Sequence, residues 1–338
     1  MTRGSGCPVA RCAVGLLLAS ALLPCLAAPV AAEVETAPRP ATRAEPRAVP
    51  HSLRSGGTDR TYRLYVPALL DRTRPVPVVV MLHGALGSSE QVERYMSFNA
   101  VADREGFAVV YPQGIGSAWN DSRPPELRFR GAKNAKADDV LFLRDLVRHL
   151  VGSGFAAPDR LFLAGVSNGG YMAARMACEA ADLFAGYAFL ISSVPKSYRG
   201  GCNPGKRIPV VVLSGTEDRL VPWEGYVPKG APRDGPLGTM AATEHTDFWA
   251  EINGCSGVRE TRLNDIDPDD GSVIVRRDRT GCAKGGAVTF YAVEGGGHQT
   301  PSLRQGIMDH VVAAFLGPRN RDAETAELVW DFFARIGR

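Results

Sequence analysis

The sequence of 338 residues is 45% hydrophobic and 22% charged, a composition typical of a globular protein with one large domain or two small ones. The formal net charge of +3 is small, and no run of lysine and arginine is interleaved with aromatic residues. These features argue against a nucleic-acid partner.

The N-terminal segment, residues 1–32, has the pattern of a secretory signal peptide. Arg3 and Arg11 provide a basic region, and the apolar stretch Val14–Leu23 is too short to span a bilayer comfortably. The small residues Val30-Ala31-Ala32 resemble a cleavage site, so we predict a protein that is secreted or periplasmic, without a membrane span.

A linker and one catalytic domain are predicted to follow the signal peptide. Residues 33–55 are rich in proline, alanine, arginine and glutamate with little to bury, which predicts a disordered linker. Residues 56–338 then form the domain. A lipoprotein signal ending at Cys25 is the alternative, and it is disfavoured because Pro24 occupies a position where a small residue is expected.

Strand and helix patterns alternate along the domain, which predicts a mostly parallel sheet with helices on both faces. The predicted strands, of which the first alternates like an edge strand and the second is apolar throughout, are Thr61–Pro67, Val76–Leu82, Phe107–Tyr111, Leu161–Ala164, Tyr187–Ile191, Pro209–Leu213 and Val288–Val293. The predicted helices are Ser89–Arg104, Asp138–Val151, Asn168–Ala180, Thr239–Asn253, Leu303–Phe315 and Ala323–Ile336. Residues 256–279 are expected to form an irregular hairpin.

A serine lies between two glycines at the junction of a predicted strand and helix, in the stretch Gly165-Val166-Ser167-Asn168-Gly169. Gly-x-Ser-x-Gly in this context is typical of a nucleophile elbow, where a sharp turn presents the serine oxygen above the sheet. The amide of Asn168, at the helix start, would then face a developing oxyanion. The alternative is a serine that only caps the helix.

A serine nucleophile needs a base and a group that orients the base. His245 and His310 fall inside helical patterns, whereas His298 follows a strand and three glycines, so His298 is the predicted base. Asp218 follows the strand Pro209–Leu213 and is the predicted acid, with Glu217 as its rival. Asp218 could instead cap its own turn.

Two further features of the predicted site lie in loops. The dipeptide His83-Gly84 follows a buried strand, and the amide of Ala85 is the predicted second oxyanion donor, with His83 in a structural role. The loop Val221–Leu237 is dense in proline and glycine, which predicts an irregular segment at the mouth of the site.

Three aromatic residues are candidates for binding a substrate. Trp223 and Tyr226 lie in the loop Val221–Leu237, and Trp119 follows the strand Phe107–Tyr111, so all three could stack on an aromatic or oligomeric ester. The alternative is that such a ring only packs its loop against the domain.

Together these segments resemble the secreted polyhydroxybutyrate depolymerase and feruloyl esterase-like branch of the α/β-hydrolases, from about Thr61 to the C-terminus. The matching motifs are Leu82-His83-Gly84, Asp138-Asp139 within Ala137–Val140, Gly165–Gly170, Gly215–Asp218 followed by Val221-Pro222, and Gly296-Gly297-His298. The resemblance implies an α/β-hydrolase fold, a triad of Ser167, Asp218 and His298, an ester substrate and no cofactor.

The four cysteines that remain after the signal peptide are widely spaced and form no CxxC pair, so we expect no metal site. Export favours disulfides. Cys178–Cys202 and Cys255–Cys282 would each close a local loop, and the resemblance supports the same pairing.

One departure from the family pattern concerns the substrate. Family members commonly follow the histidine with Thr-Trp-Pro-Gly, whereas His298 is followed by Gln299-Thr300-Pro301-Ser302, without tryptophan. We therefore expect cleavage of short soluble esters, including aryl esters and hydroxyalkanoate oligomers, rather than of crystalline polymer. The alternatives are a peptidase of the prolyl-oligopeptidase type and a non-catalytic binding protein. The sequence leaves the oligomeric state open.

Overall fold

The computed structural model describes residues 47–128, 136–304 and 309–337 of the chain, without the side chains of residues 309 and 310. The predicted signal peptide and residues 33–46 of the predicted linker lie outside the described residues. Within the described part of the chain, no helix is both long enough and apolar enough to cross a membrane.

Ten strands form one sheet in the order β1-β2-β4-β3-β5-β6-β7-β10-β9-β8. The strands are β1 (Val49–Ser55), β2 (Thr58–Tyr65), β3 (Val76–Leu82), β4 (Ala108–Pro112), β5 (Ala156–Val166), β6 (Gly186–Leu190), β7 (Val210–Gly215), β8 (Gly257–Arg262), β9 (Val273–Thr280) and β10 (Val288–Glu294). Six neighbouring strands from β4 to β10 are parallel, and antiparallel strands extend the sheet at both edges.

Helices cover both faces of the sheet. They are α1 (Ser89–Tyr95), α2 (Phe98–Glu105), α3 (Asp139–Gly152), α4 (Asn168–Glu179), α5 (Tyr198–Gly201), α6 (Ala242–Ile252), α7 (Asp309–Leu316) and α8 (Thr325–Ile336). One core cluster joins α3, α4 and α6 to the sheet, and a second joins α1, α2 and α8 to it. The predicted architecture, a mostly parallel sheet with helices on both faces, is therefore confirmed.

The central strands are apolar throughout because both of their faces are covered. In β3 all but one residue is buried, and β4, β6 and β7 are buried at every position. Such strands lack the alternation of a half-exposed strand. Since they run parallel, their carboxyl ends meet at one edge, where the loops carrying Ser167, Asp218 and His298 emerge.

The structure differs from the sequence predictions in three segments. The expected linker extends to residue 55, but β1 pairs along its whole length with β2, so β1 and not Thr61–Pro67 forms the edge. The expected helix Ser89–Arg104 is divided into α1 and α2 at Ser97, whose φ of 56° lies in the left-handed region. The hairpin expected at residues 256–279 is present, but it is formed by two regular antiparallel strands, β8 and β9, and is not irregular.

Candidate active site

The sharp turn between β5 and α4 places Ser167 in an unusual backbone conformation, with φ 54° and ψ −120°. The turn is possible because two glycines lack side chains. A Cβ on Gly165 would lie 2.1 Å from the carbonyl oxygen of Gly169, and one on Gly169 would lie 2.6 Å from the carbonyl oxygens of Leu82 and His83. Helix α4 therefore starts in direct contact with the end of β3.

A continuous hydrogen-bond chain joins Ser167, His298 and Asp218. The His298 Nε2 lies 3.0 Å from the Ser167 Oγ, and the His298 Nδ1 lies 2.7 Å from the Asp218 Oδ2. A carboxylate only accepts, so Nδ1 carries the hydrogen and Nε2 offers its lone pair to the serine hydroxyl. The imidazole is thus oriented as a base for this serine.

The acid is held by its own turn as well as by the histidine. The Oδ1 of Asp218 accepts hydrogen bonds from the amides of Leu220 and Val221, each at 2.8 Å. Asp218 is 6% exposed, whereas its rival Glu217 is exposed. Asp218 therefore does both things considered for it: Oδ1 caps its own turn and Oδ2 contacts His298. Glu217 lies outside this chain of hydrogen bonds.

The predicted oxyanion donors lie on the same cavity as Ser167. Ala85 and Asn168 both line it, and neither amide N–H donates to another group in the described part of the chain. Gly84 adjoins the serine, since a Cβ there would lie 3.5 Å from the Ser167 Cβ. Two unused N–H groups beside the serine are what a developing oxyanion requires.

The side chain of Asn168 connects the elbow to the loop after β4. Its Oδ1 accepts from the amide of Trp119 at 2.7 Å, and its Nδ2 donates to the Trp119 carbonyl at 3.0 Å and to the Asp121 carboxylate at 2.6 Å. This side-chain role of Asn168 was not predicted, because the Gly-x-Ser-x-Gly pattern concerns only its backbone amide. An asparagine at the start of a helix, next to a long loop, is the sequence feature that could have indicated side-chain hydrogen bonds to that loop.

A buried ion pair extends this wall of the cavity. Asp121 pairs with Arg123 at 2.7 Å, and the Arg123 guanidinium lies 3.6 Å from the ring centroid of Tyr171. Burial raises the pKa of Tyr171 to about 12, so its phenol stays neutral. No local sequence pattern marks this group, because its members are brought together only by the folded loop.

Two of the three predicted aromatic residues do not face the cavity. Trp119 is 2% exposed, and its Nε1 donates to the His83 carbonyl at 2.8 Å, so the prediction that it stacks on substrate is wrong. Trp223 stacks on Phe290 with centroids 5.6 Å apart and packs the loop down, which is the alternative considered above. Tyr226 does line the cavity and is 44% exposed.

The family aspartates Asp138 and Asp139 have structural roles. Asp138 caps α3 by accepting from the Leu141 amide, and Asp139 is fully buried. The carboxylate of Asp139 accepts from Arg60 at 2.6 Å and from the Asn120 amide at 2.7 Å. Asp139 thus anchors the same loop that Asn168 holds from the other side.

Both predicted disulfides are formed, Cys178–Cys202 and Cys255–Cys282. Cys178 lies in the last turn of α4, and its bridge fixes that helix to the segment after α5. The bridge therefore supports the elbow helix at the end opposite to Ser167.

The sheet, the covering helices and the serine at the tight turn define an α/β-hydrolase. Comparison with known proteins identifies the family within this fold. The family described as esterase PHB depolymerase matches residues 60–195. NocK of Nocardia uniformis subsp. tsuyamanensis, itself a candidate esterase, is 32% identical over 285 residues, which cover 82% of this chain and 79% of NocK. The chain belongs to this esterase family and is a serine carboxylic-ester hydrolase.

More distant relatives agree with this assignment. Feruloyl esterase B of Piromyces equi is 27% identical over 67% of this chain, and the match spans 40% of that longer protein. The crystal structure of a thermostable esterase superposes with a TM-score of 0.52 at 17% identity, over 86% of this chain and 62% of that one. The structural likeness supports the fold alone.

Proposed function

We propose that this protein cleaves carboxylic esters with Ser167 as the nucleophile, His298 as the general base and Asp218 as the group that orients the base. The observation that carries the proposal is the unbroken chain of hydrogen bonds from the Ser167 hydroxyl through His298 to the Asp218 carboxylate, at 3.0 and 2.7 Å. This arrangement has the roles and connections of a serine-hydrolase triad.

The reaction then follows from the positions of these groups. As the Ser167 oxygen attacks the ester carbon, His298 takes the hydroxyl proton and Asp218 stabilises the imidazolium. The amides of Ala85 and Asn168 donate to the oxygen that becomes negative. Collapse of the tetrahedral intermediate transfers the proton from His298 to the departing alkoxide, and a water molecule activated by His298 hydrolyses the acyl-enzyme in the second half of the reaction.

Three substitutions test the roles of the triad. We expect Ser167→Ala to lower kcat by about a millionfold on any ester, because the nucleophile is lost while the fold is kept. His298→Ala should be comparably damaging. Asp218→Asn should also be severe, since the imidazole loses its carboxylate partner. The measurement is steady-state hydrolysis of a p-nitrophenyl ester, with the melting temperature as a check on folding.

Two matched controls make the test specific. Glu217→Gln changes the neighbouring exposed carboxylate, and Ser52→Ala changes an exposed serine on β1, so both should keep wild-type activity. A Ser167→Ala protein that retained a tenth of the activity would exclude Ser167 as the nucleophile. Turnover of a matched amide at the rate of the ester would favour the peptidase alternative.

The proposed substrates are short soluble esters, including aryl esters and hydroxyalkanoate oligomers. The cavity that contains Ser167 has a volume of about 1140 Å³, which is ample for a ligand of that size. The related feruloyl esterases act, by their names, on feruloyl esters, whose acyl group carries an aromatic ring. Tyr226 remains as the exposed aromatic ring of the proposed stacking surface.

A pair of aromatic substitutions tests this surface. Tyr226→Ala should raise KM for an aryl ester about three- to tenfold, as expected for loss of 1 kcal/mol or so of ring contact, with an unchanged melting temperature. Trp223→Ala should lower the melting temperature instead, because Trp223 packs on Phe290. Equal KM values for wild type and Tyr226→Ala on aryl and alkyl esters would remove Tyr226 from the proposed site.

Export of the protein is the remaining part of the proposal. It is supported by the signal-like pattern in residues 1–32 and by two disulfides, which persist in oxidising compartments. N-terminal sequencing of the mature protein, with cleavage expected after Ala32, tests it directly.

A further inference from the structure

The ring of His83 is buried at the end of β3 and has partners of opposite type on its two nitrogens. The Nδ1 lies 2.7 Å from the carbonyl oxygen of Gly84, and the Nε2 accepts from the Gly114 amide at 3.0 Å. A carbonyl only accepts and an amide N–H only donates, so the hydrogen sits on Nδ1. His83 is therefore a neutral imidazole with one defined tautomer.

The carbonyl that His83 holds belongs to the same peptide unit as the amide of Ala85. A trans peptide is planar, with its C=O and N–H directed oppositely. A hydrogen bond to the Gly84 oxygen therefore fixes the direction of the Ala85 N–H. The Gly87 amide also donates to this oxygen at 3.1 Å, whereas the Ala85 N–H has no partner among the described residues.

We propose that His83 is a positioning residue for catalysis: through the Gly84 carbonyl it orients the Ala85 amide toward the oxygen that becomes negative during ester cleavage. The proposal rests on the function proposed above, since it requires Ala85 to be an oxyanion donor. The hydrogen bond to the carbonyl also polarises the peptide, which strengthens its N–H as a donor.

Several contacts keep the ring in place. Trp119 donates to the His83 backbone carbonyl at 2.8 Å, and its ring lies 5.0 Å from the imidazole. Gly114 must approach closely, since a Cβ there would lie 2.4 Å from the Ala118 carbonyl oxygen. Burial lowers the pKa of His83 to about 4, so the ring stays neutral at physiological pH. A protonated ring would direct a second N–H against the Gly114 amide.

Two substitutions separate the two nitrogens of the ring. The side-chain amide of asparagine places its NH₂ near the position of Nδ1, so His83→Asn can still donate to the Gly84 oxygen but leaves the Gly114 amide unpaired. Glutamine reaches the position of Nε2, so His83→Gln can still accept from Gly114 but no longer donates to Gly84. If His83 positions the Ala85 amide, His83→Gln should have the lower kcat of the two variants. If His83 is only structural, kcat should follow the stability of each variant.

We expect His83→Gln to lower kcat about tenfold or more with little change in KM, because misdirecting an oxyanion donor affects the transition state and not substrate binding. His83→Asn should keep kcat within about threefold of wild type. It should have the lower melting temperature, because a buried amide loses its partner. Binding of a phenylboronic acid, whose tetrahedral adduct occupies the oxyanion site, should weaken in parallel with kcat.

The results that would overturn the proposal are also distinct. Wild-type kcat in a folded His83→Gln, or loss of activity in both variants in proportion to their loss of stability, would leave His83 with a structural role only. Imidazole ¹⁵N shifts of the unmodified protein give a test without mutation, and an Nε2–H tautomer would contradict the proposal. If Ser167→Ala remained active, the proposed function itself would fail, whereas full activity of His83→Gln beside an inactive Ser167→Ala would exclude only this inference.

Discussion

At the scale of single residues, Ser167 occupies a conformation that costs non-glycine residues of the order of 1–3 kcal/mol. The surrounding backbone maintains it. The Ser167 amide donates to the Leu190 carbonyl at 2.8 Å, and the Ser167 carbonyl accepts from the amides of Gly170 and Tyr171. The elbow is thus held by β6 on one side and by the first turn of α4 on the other.

His245 gives a prediction about stability and pH. It is fully buried on α6, with its ring 5.6 Å from that of Phe189, and burial lowers its pKa to about 3. The unfolded chain binds a proton at this histidine below its ordinary pKa of 6.5, while the folded chain does not until about pH 3. Stability is therefore lost as pH falls below 6.5, and the loss from this group levels off near pH 3.

We expect His245→Leu to remove this contribution. Between pH 7.5 and 4.5 the free energy of unfolding of wild type should fall by about 2–3 kcal/mol more than that of the variant. Urea denaturation at the two pH values measures the difference. If the difference in free energy of unfolding between wild type and His245→Leu were the same at both pH values, His245 would not be buried in the neutral form.

The hydrogen-bonded group of Ser167, His298 and Asp218, which we propose to be catalytic, could be predicted from sequence because each member follows a strand at the carboxyl edge of a parallel sheet, with glycines marking the turn. Ser167 and His298 have that signal in the immediate sequence. Trp119 also follows a strand and two glycines, Gly114 and Gly116, yet whether its ring faces a substrate or the core depends on a loop held by Asn168 and Asp139. Such loop placement is a tertiary property that no local pattern contains.

At the scale of elements, local patterns located the central strands well and the edges poorly. β3 matches its predicted bounds, since a strand buried on both faces is apolar throughout. β1 has mostly exposed residues, so its sequence resembles a linker. It forms a strand because its backbone pairs with β2 and because His51 stacks on Tyr62 at 5.2 Å. Backbone pairing between β1 and β2 does not depend on apolar side chains, so the amino-acid composition of β1 does not reveal it.

The break between α1 and α2 is likewise a feature that local sequence patterns did not predict. The apolar residues of Ser89–Arg104 have continuous helical spacing, yet Ser97 has a left-handed φ. Met96 and Phe98 are both buried against the sheet, and the turn between them brings both side chains to the same core cluster. The core thus determines where one predicted helix becomes two, and the periodicity alone could not show it.

At the scale of the whole molecule, the surface around the cavity combines charge with apolar groups. Arg123, Glu126 and Arg128, which follow β4, are among the lining residues. Elsewhere on the lining, Leu86, Leu220 and Tyr226 are about half exposed. Ser167 lies in this cavity, whose lining includes residues of the loops after β3, β4, β7 and β10. This shape favours a substrate that enters the cavity over one that must lie flat across its mouth.

We therefore predict that soluble hydroxybutyrate trimer is hydrolysed well and that a solid polyhydroxybutyrate film is cleared poorly. A chain packed in a crystal cannot enter the cavity without leaving its lattice, and the tryptophan that commonly follows the histidine in this family is replaced here by Thr300. Initial rates on trimer and on film, compared at equal ester content, measure the difference, with Ser167→Ala as the background control. Clearing of the film at a rate matching the trimer would contradict the prediction. It would then assign the exposed apolar groups Leu86, Leu220 and Tyr226 to adsorption on a polymer surface.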